Sequence, residues 1–215
     1  MKESTLQKLQ NLQIQIEKHI QVGKALFNAN PEGFFSIDLL AMAAMHRSLL
    51  LISGFSQMIR QENLTCAAPL VRLQIDNCLR FFASSLVQNG DDFSKDVLKG
   101  DKVSRIKDRH GRKMTDAHLV EQFSVHHPWI KKVYEETSGY VHLSRKHFYT
   151  AIRTNPEDGT FSYHLRRAPK DSLVPDEIYD EAVDAFTEIT DAFLELVQSW
   201  IDQKEVEWQS KQRKP

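Results

Sequence analysis

The chain has 215 residues, 41% of them hydrophobic and 27% charged, with a formal net charge of -1, so it is long enough to enclose one sizeable core. Eight glycines and seven prolines are too few for a disordered or fibrous chain. The most apolar region is interrupted by Asp38, His46-Arg47-Ser48 and Ser53-Gly54, and the first residues lack the apolar core of a signal peptide. A cytoplasmic protein with no membrane partner is the expectation.

Leu6, Leu9, Leu12, Ile16 and Ile20 recur at helical spacing and predict a first helix ending near Asn28, read as an N-terminal appendage over residues 1–30. Ser36 is a plausible N-cap for a second helix, apolar on nearly every side up to Ile59 and therefore central. Thr65 and Pro69 open a third helix that closes at Asn89-Gly90 and forms a hairpin with the second. Cys66 and Cys78 fall twelve apart on that helix, too distant to bridge, and are expected as thiols.

Residues 91–114 are polar and punctuated by Gly100 and Gly111, and read as a long excursion with one helical turn. Thr115 caps a short helix carrying Leu119, Val120 and Phe123, and Pro128 starts another that runs to His142. Segments 148–153 and 160–166, split by Asn155-Pro156-Glu157-Asp158-Gly159, predict a small β-hairpin. From Pro175, a long helix buries Ala182, Phe186, Ile189, Phe193, Val197 and Trp200, and shows water Asp180, Asp184, Glu188, Asp191, Glu195 and Asp202. The sum is a mostly all-α helical bundle of about six helices, with one β-hairpin before the C-terminal helix. Its main domain covers residues 31–209, and 210–215 form a basic tail.

Charge is distributed unevenly. Lys99, Lys102, Arg105, Lys107, Arg109, Arg112 and Lys113 crowd the excursion, and Lys131, Lys132, Arg145, Lys146, Arg166, Arg167 and Lys170 extend the patch. Such a surface can neutralise RNA phosphates, or it can dock on the acidic face of the last helix, within one chain or across a dimer.

Polar chemistry is densest at Ser138-Gly139-Tyr140-Val141-His142-Leu143-Ser144, where a helix ends. Glu135, Ser138 and His142 share a face there, and Arg72, Asp76 and Arg80 share one on the third helix. If the two faces meet, they form either an ion-pair network that fixes helix register or a site in which His142 acts as acid or base. Ser138 and Ser144 lie outside any Gly-x-Ser-x-Gly elbow, which argues against a serine hydrolase. There is no His-Glu-x-x-His and no glycine-rich phosphate loop, so neither a metal nor a cofactor is expected.

Arg72, the Pro128 helix and the Tyr140-Val141-His142-Leu143-Ser144 segment resemble a group of bacterial helical proteins of unknown function, related to the HEPN superfamily, over residues 36–208. The resemblance implies a helical bundle, often dimeric, acting in phage defence or toxin systems as a metal-independent ribonuclease or RNA-binding module. It implies an Arg followed four to six residues later by a catalytic His. Arg105 with His110 and Arg112 with His118 have that spacing, but the first pair lies in the excursion, whereas the family's motif lies on a helix. Arg72 and His142, with Glu135, are the alternative assembled from two helices. On this reading Lys102, Lys107, Arg109, Arg112 and Tyr140 bind the RNA. The competing expectation is a non-catalytic interaction or sensor protein.

Overall fold

A computed structural model describes residues 2–29, 33–142, 144–145, 147, 152–163, 171 and 173–212. Its helices are α1 (Glu3–Asn28), α2 (Ser36–Arg60), α3 (Leu64–Leu86), α4 (Gly90–Leu98), α5 (Asp116–Phe123), α6 (Ile130–Val141) and α7 (Asp176–Gln212). A 3-10 turn, Val103–Arg105, lies between α4 and α5. Strands β1 (Ile152–Thr154) and β2 (Phe161–Tyr163) pair antiparallel, Ile152 opposite Tyr163, around a turn in which Gly159 takes a positive φ of 69°. The all-α bundle is thus as expected, with one helix more among the described residues. The remainder of segments 148–153 and 160–166 lies outside the described residues, as do Leu143, Lys146, Arg167 and Lys170.

One core joins the long helices. Phe55 of α2 stacks on Phe186 of α7 at a centroid distance of 4.2 Å, and Phe81 of α3 meets Phe193 edge-on. Complete burial of a side chain of this size contributes about 1.5–3 kcal/mol. The apolar stripe of α7 is buried at Phe186, Ile189, Phe193 and Val197. Both cysteines are free, Cys66 exposed and Cys78 buried.

Helix α1 is not an appendage, because Leu9, Leu12 and Leu26 are fully buried in this same core. Its inner face is rotated from the predicted one: Ile20 is exposed, while Thr5, Gln15 and His19 are buried. The reason lies in partners the apolar pattern cannot show. His19 Nε2 meets Ser48 Oγ of α2 at 2.9 Å, and Gln74 of α3 donates to both Ser48 and Thr190 of α7. One polar layer therefore crosses four helices.

The acidic face of α7 shows Asp184, Glu188, Glu195 and Asp202 to water as expected, but α1 lies along part of it. Lys2 pairs with Glu177, Lys8 with Asp184 and Lys18 with Asp191, while Ser4 and Thr5 donate to Asp180. Helix α1 thereby takes up, at Glu177, Asp180, Asp184 and Asp191, carboxylates that the basic excursion could otherwise pair with.

Helix α2 is not enclosed all round, since Leu39, Met42 and Leu50 are exposed. By length and composition alone it could cross a membrane, but half of that stretch is buried in the bundle. Its first turn is held by Asp38, which accepts from the Phe35 amide at 2.9 Å, rather than by Ser36 as a cap. Lys204 of α7 reaches Asp38 at 2.9 Å and also donates to the Leu26 carbonyl, and Trp200 Nε1 donates to Asp38 at 2.7 Å. The ends of α1, α2 and α7 are locked together at this buried point.

Helix α3 is capped by Asn63, not Thr65, and ends at Leu86. Asn89 instead accepts from the amides of Asp91 and Asp92 and so starts α4. The supposed long loop is consequently folded: α4, the 3-10 turn, and a tight arm in which Asp108 N donates to Arg112 O and Met114 N to Ile106 O. Gly111 turns the arm at a φ of 80°, a conformation costly for other residues. Helix α6 begins at Ile130, two residues beyond Pro128.

Candidate functional site

The polar faces of α3 and α6 do meet. Arg72, Leu73 and Asp76 on one side and Tyr134, Ser138, Val141 and His142 on the other line an open cleft of about 380 Å³, joined by Asp116 from the first turn of α5. Five charged groups connect in series. Arg47 Nη1 is 3.2 Å from Asp76, whose second oxygen is 2.9 Å from Arg80 Nη2. That same nitrogen is 2.6 Å from Asp116, and the other Asp116 oxygen is 3.4 Å from Arg72. Three guanidiniums thus face two carboxylates, and Arg80 Nη1 is buried without a hydrogen-bond partner among the described residues.

Arg72 alone of the three lines the cleft. Its one ion pair among the described residues is long, while its guanidinium carbon lies 3.8 Å from the centroid of the Tyr134 ring. Stacking fixes the plane of the fork and leaves its edge available for hydrogen bonds. Its side chain is 14% exposed, so it sits at the floor of the cleft, with Asp116 nearer the mouth at 39%.

His142 caps the C-terminus of α6 in an extended conformation and stands exposed on the rim. Glu135 does not join it: the side chain is exposed and lies outside the lining, so the carboxylates of the cleft are Asp76 and Asp116. Tyr140 is likewise outside. Its half-buried ring packs on the core and meets His147 edge-on at 5.9 Å, with its phenol pushed upward by burial and by the charges of Asp171 and Glu136. The hydroxyls that made segment 138–144 conspicuous serve the backbone, Ser138 donating to the Tyr134 carbonyl and Ser144 to that of Gly139.

The excursion divides into structural and free cations. Arg109 donates its guanidinium to the carbonyls of Ser85, Leu86 and Val87, capping α3. Arg112 reaches Asp108 at 3.4 Å, and His118 Nε2 meets the same carboxylate oxygen at 2.9 Å. Burial alone would raise Asp108, but the Arg112 amide, the His118 ring, the His110 amide and the Arg112 charge hold it down to about 2. One of the two Arg–His pairs is therefore spent on an internal tie. The other, Arg105 with His110, is exposed on the arm and does not line the cleft. Lys102 and Lys107 are exposed there too.

Sequence reasoning missed Asp116 and Arg47. Asp116 follows a helix cap and Arg47 interrupts an apolar run, and both positions have sufficient local explanations. Among the described residues, no group of three or more His, Cys, Asp or Glu side chains is placed to hold a metal ion. No family model, curated protein or solved structure matches the chain.

Proposed function

We propose that the α3–α6 cleft is a reaction site directed at RNA and that the chain is a HEPN-like, metal-independent ribonuclease; the resemblance sets such an activity in phage defence or a toxin system. The observation that carries this is the convergence of a stacked Arg72 and an accessible His142 on one open cleft, whose Asp76 and Asp116 carboxylates are tied to Arg47, Arg80 and Arg72. In this reaction the His142 imidazole accepts the proton of a ribose 2′-hydroxyl. The 2′-oxygen attacks phosphorus, the bond to the 5′-oxygen breaks, and that oxygen takes a proton from solvent. Arg72 neutralises the charge that develops on the phosphoryl oxygens. Arg105 and His110 have no part in this step.

The test is cleavage of a single-stranded RNA in excess EDTA. Wild type and His110→Ala cleave, and His142→Ala and Arg72→Ala do not, with folding of each variant checked by circular dichroism. Wild-type rates in His142→Ala overturn the assignment.

A second reading, a helical interaction module, is favoured by the pairing of Arg47, Asp76, Arg80 and Asp116 and by the exposed Leu39, Met42 and Leu50 of α2. A second copy of the chain or another protein would cover that stripe. On this reading Arg72→Ala lowers Tm markedly and no RNA is cleaved.

A further inference from the structure

The arm that follows the 3-10 turn places two lysines directly opposite each other. Lys107 and Lys113 form an antiparallel bridge, and the bonds flanking it, Asp108 N to Arg112 O and Met114 N to Ile106 O, make it a non-hydrogen-bonded pair. In such a pair the Cα atoms approach to about 4.5 Å and the side chains leave on one face. Like charges so placed repel. Neither lysine has an ion-pair partner among the described residues, and both are exposed.

The same holds for Lys102 and Arg105. Lys102 is the extended N-cap of the 3-10 turn and Arg105 its last residue, and both are exposed without a carboxylate partner among the described residues. Lys2, Lys8, Lys18 and Lys95, by comparison, are each paired with a carboxylate. The arm is also rigid at its base, through Asp108, His118 and the Arg109 cap on α3. Four uncompensated cations are thus displayed on a stiff support.

We propose that these four residues, Lys102, Arg105, Lys107 and Lys113, form a docking surface for the phosphate backbone of single-stranded RNA, separate from the cleft. Polyphosphate rather than a lipid surface fits the arm, because its apolar residues point inward. Val103 and Met114 are buried and Ile106 packs against the core, so none is presented for insertion into a bilayer. The choice of RNA rests on the cleft reading; the charge argument does not.

The test is binding of a fluorescent single-stranded RNA to the full chain carrying His142→Ala in EDTA, so that cleavage cannot intervene, across a salt series. Four phosphate contacts predict a slope of log affinity on log salt of about -2.8, at roughly 0.7 per contact on single strands. That is a loss of about 50-fold between 50 and 200 mM salt. Lys107→Gln with Lys113→Gln halves the slope to about -1.4. Binding with an unchanged slope in that variant, or no RNA binding at all, overturns the proposal, as does binding to phosphatidylserine vesicles in place of RNA. Binding that depends on the arm in a protein whose wild type cleaves nothing sinks the cleft reading and leaves the arm standing. Cleavage by the wild type with arm-independent binding does the reverse.

Discussion

The guanidinium of Arg72 lies over the ring of Tyr134, 3.8 Å from its centroid, and this contact joins α3 to α6 at the floor of the cleft. It gives Arg72 a fixed plane, with one long ion pair among the described residues, to Asp116. A cation over an aromatic face contributes about 0.5–2 kcal/mol, depending on desolvation. We expect a double-mutant cycle of Arg72→Ala and Tyr134→Leu, measured by urea unfolding, to give a coupling of about 0.5–1.5 kcal/mol. Strict additivity would show that the two side chains do not support each other.

Lys204 and Asp38 are the most deeply buried ion pair among the described residues, with side chains 1% and 0% exposed. Removing one partner leaves the other charged and dry, so Lys204→Met lowers stability by about 3–5 kcal/mol. Exchanging both, Lys204→Met with Asp38→Asn, recovers part of that loss, because no uncompensated charge remains. Chemical unfolding of the two variants checks the order, and a single variant as stable as wild type contradicts it.

His19 is buried between α1 and α2, and burial lowers its pKa against the opposing pull of the Gln15 carbonyl and the Asp191 charge. The unfolded chain therefore binds a proton that the folded chain resists. The stability this group contributes is present above the unfolded value of about 6.5 and is lost as pH falls through the folded value. Tm falls on acidification below about pH 6.5, and His19→Gln flattens that dependence. A wild-type Tm that rises over the same interval contradicts the neutral, buried imidazole.

Asp108 shows the carboxylate case. Its pKa is depressed to about 2, so its contribution is complete above about pH 3.8, the unfolded value, and is lost as pH falls to about 2. Asp108→Asn removes the charge that ties His118 and Arg112 together. Hydrogen exchange at the His110 and Arg112 amides, both bonded to this carboxylate, then accelerates. Unchanged protection would mean that the arm is held from elsewhere.

Much of this architecture is legible in residue spacing. The stripe at Phe186, Ile189, Phe193 and Val197 repeats with the helical period, and Arg72, Asp76 and Arg80 stand at intervals that put them on one face of α3. What spacing cannot convey is which distant residue answers a given face. Asp116 meets Arg80 across 36 positions in the chain, and only the packing of α5 on α3 brings them together. The acidic face of α7 does show water Glu188, Glu195 and Asp202, but its pairing with α1 is not legible, because the lysines of α1 are spread singly among polar residues. Helix α4 was hidden by its polar composition, although Asn89 as cap and Asp91 with Lys95 one turn apart mark its start. Periodicity alone places Glu135 beside His142, but a rotation of α6 that presents Tyr134 to the cleft turns Glu135 to solvent.

The proposed role of His142 as base on a 2′-hydroxyl is tested most directly at the scissile nucleotide. With wild-type protein in EDTA, an RNA cut at a defined position yields a 2′,3′-cyclic phosphate and a 5′-hydroxyl, and replacing that one ribose by 2′-deoxyribose abolishes the cut. Cleavage of the deoxy-substituted substrate at the same position and rate would contradict it.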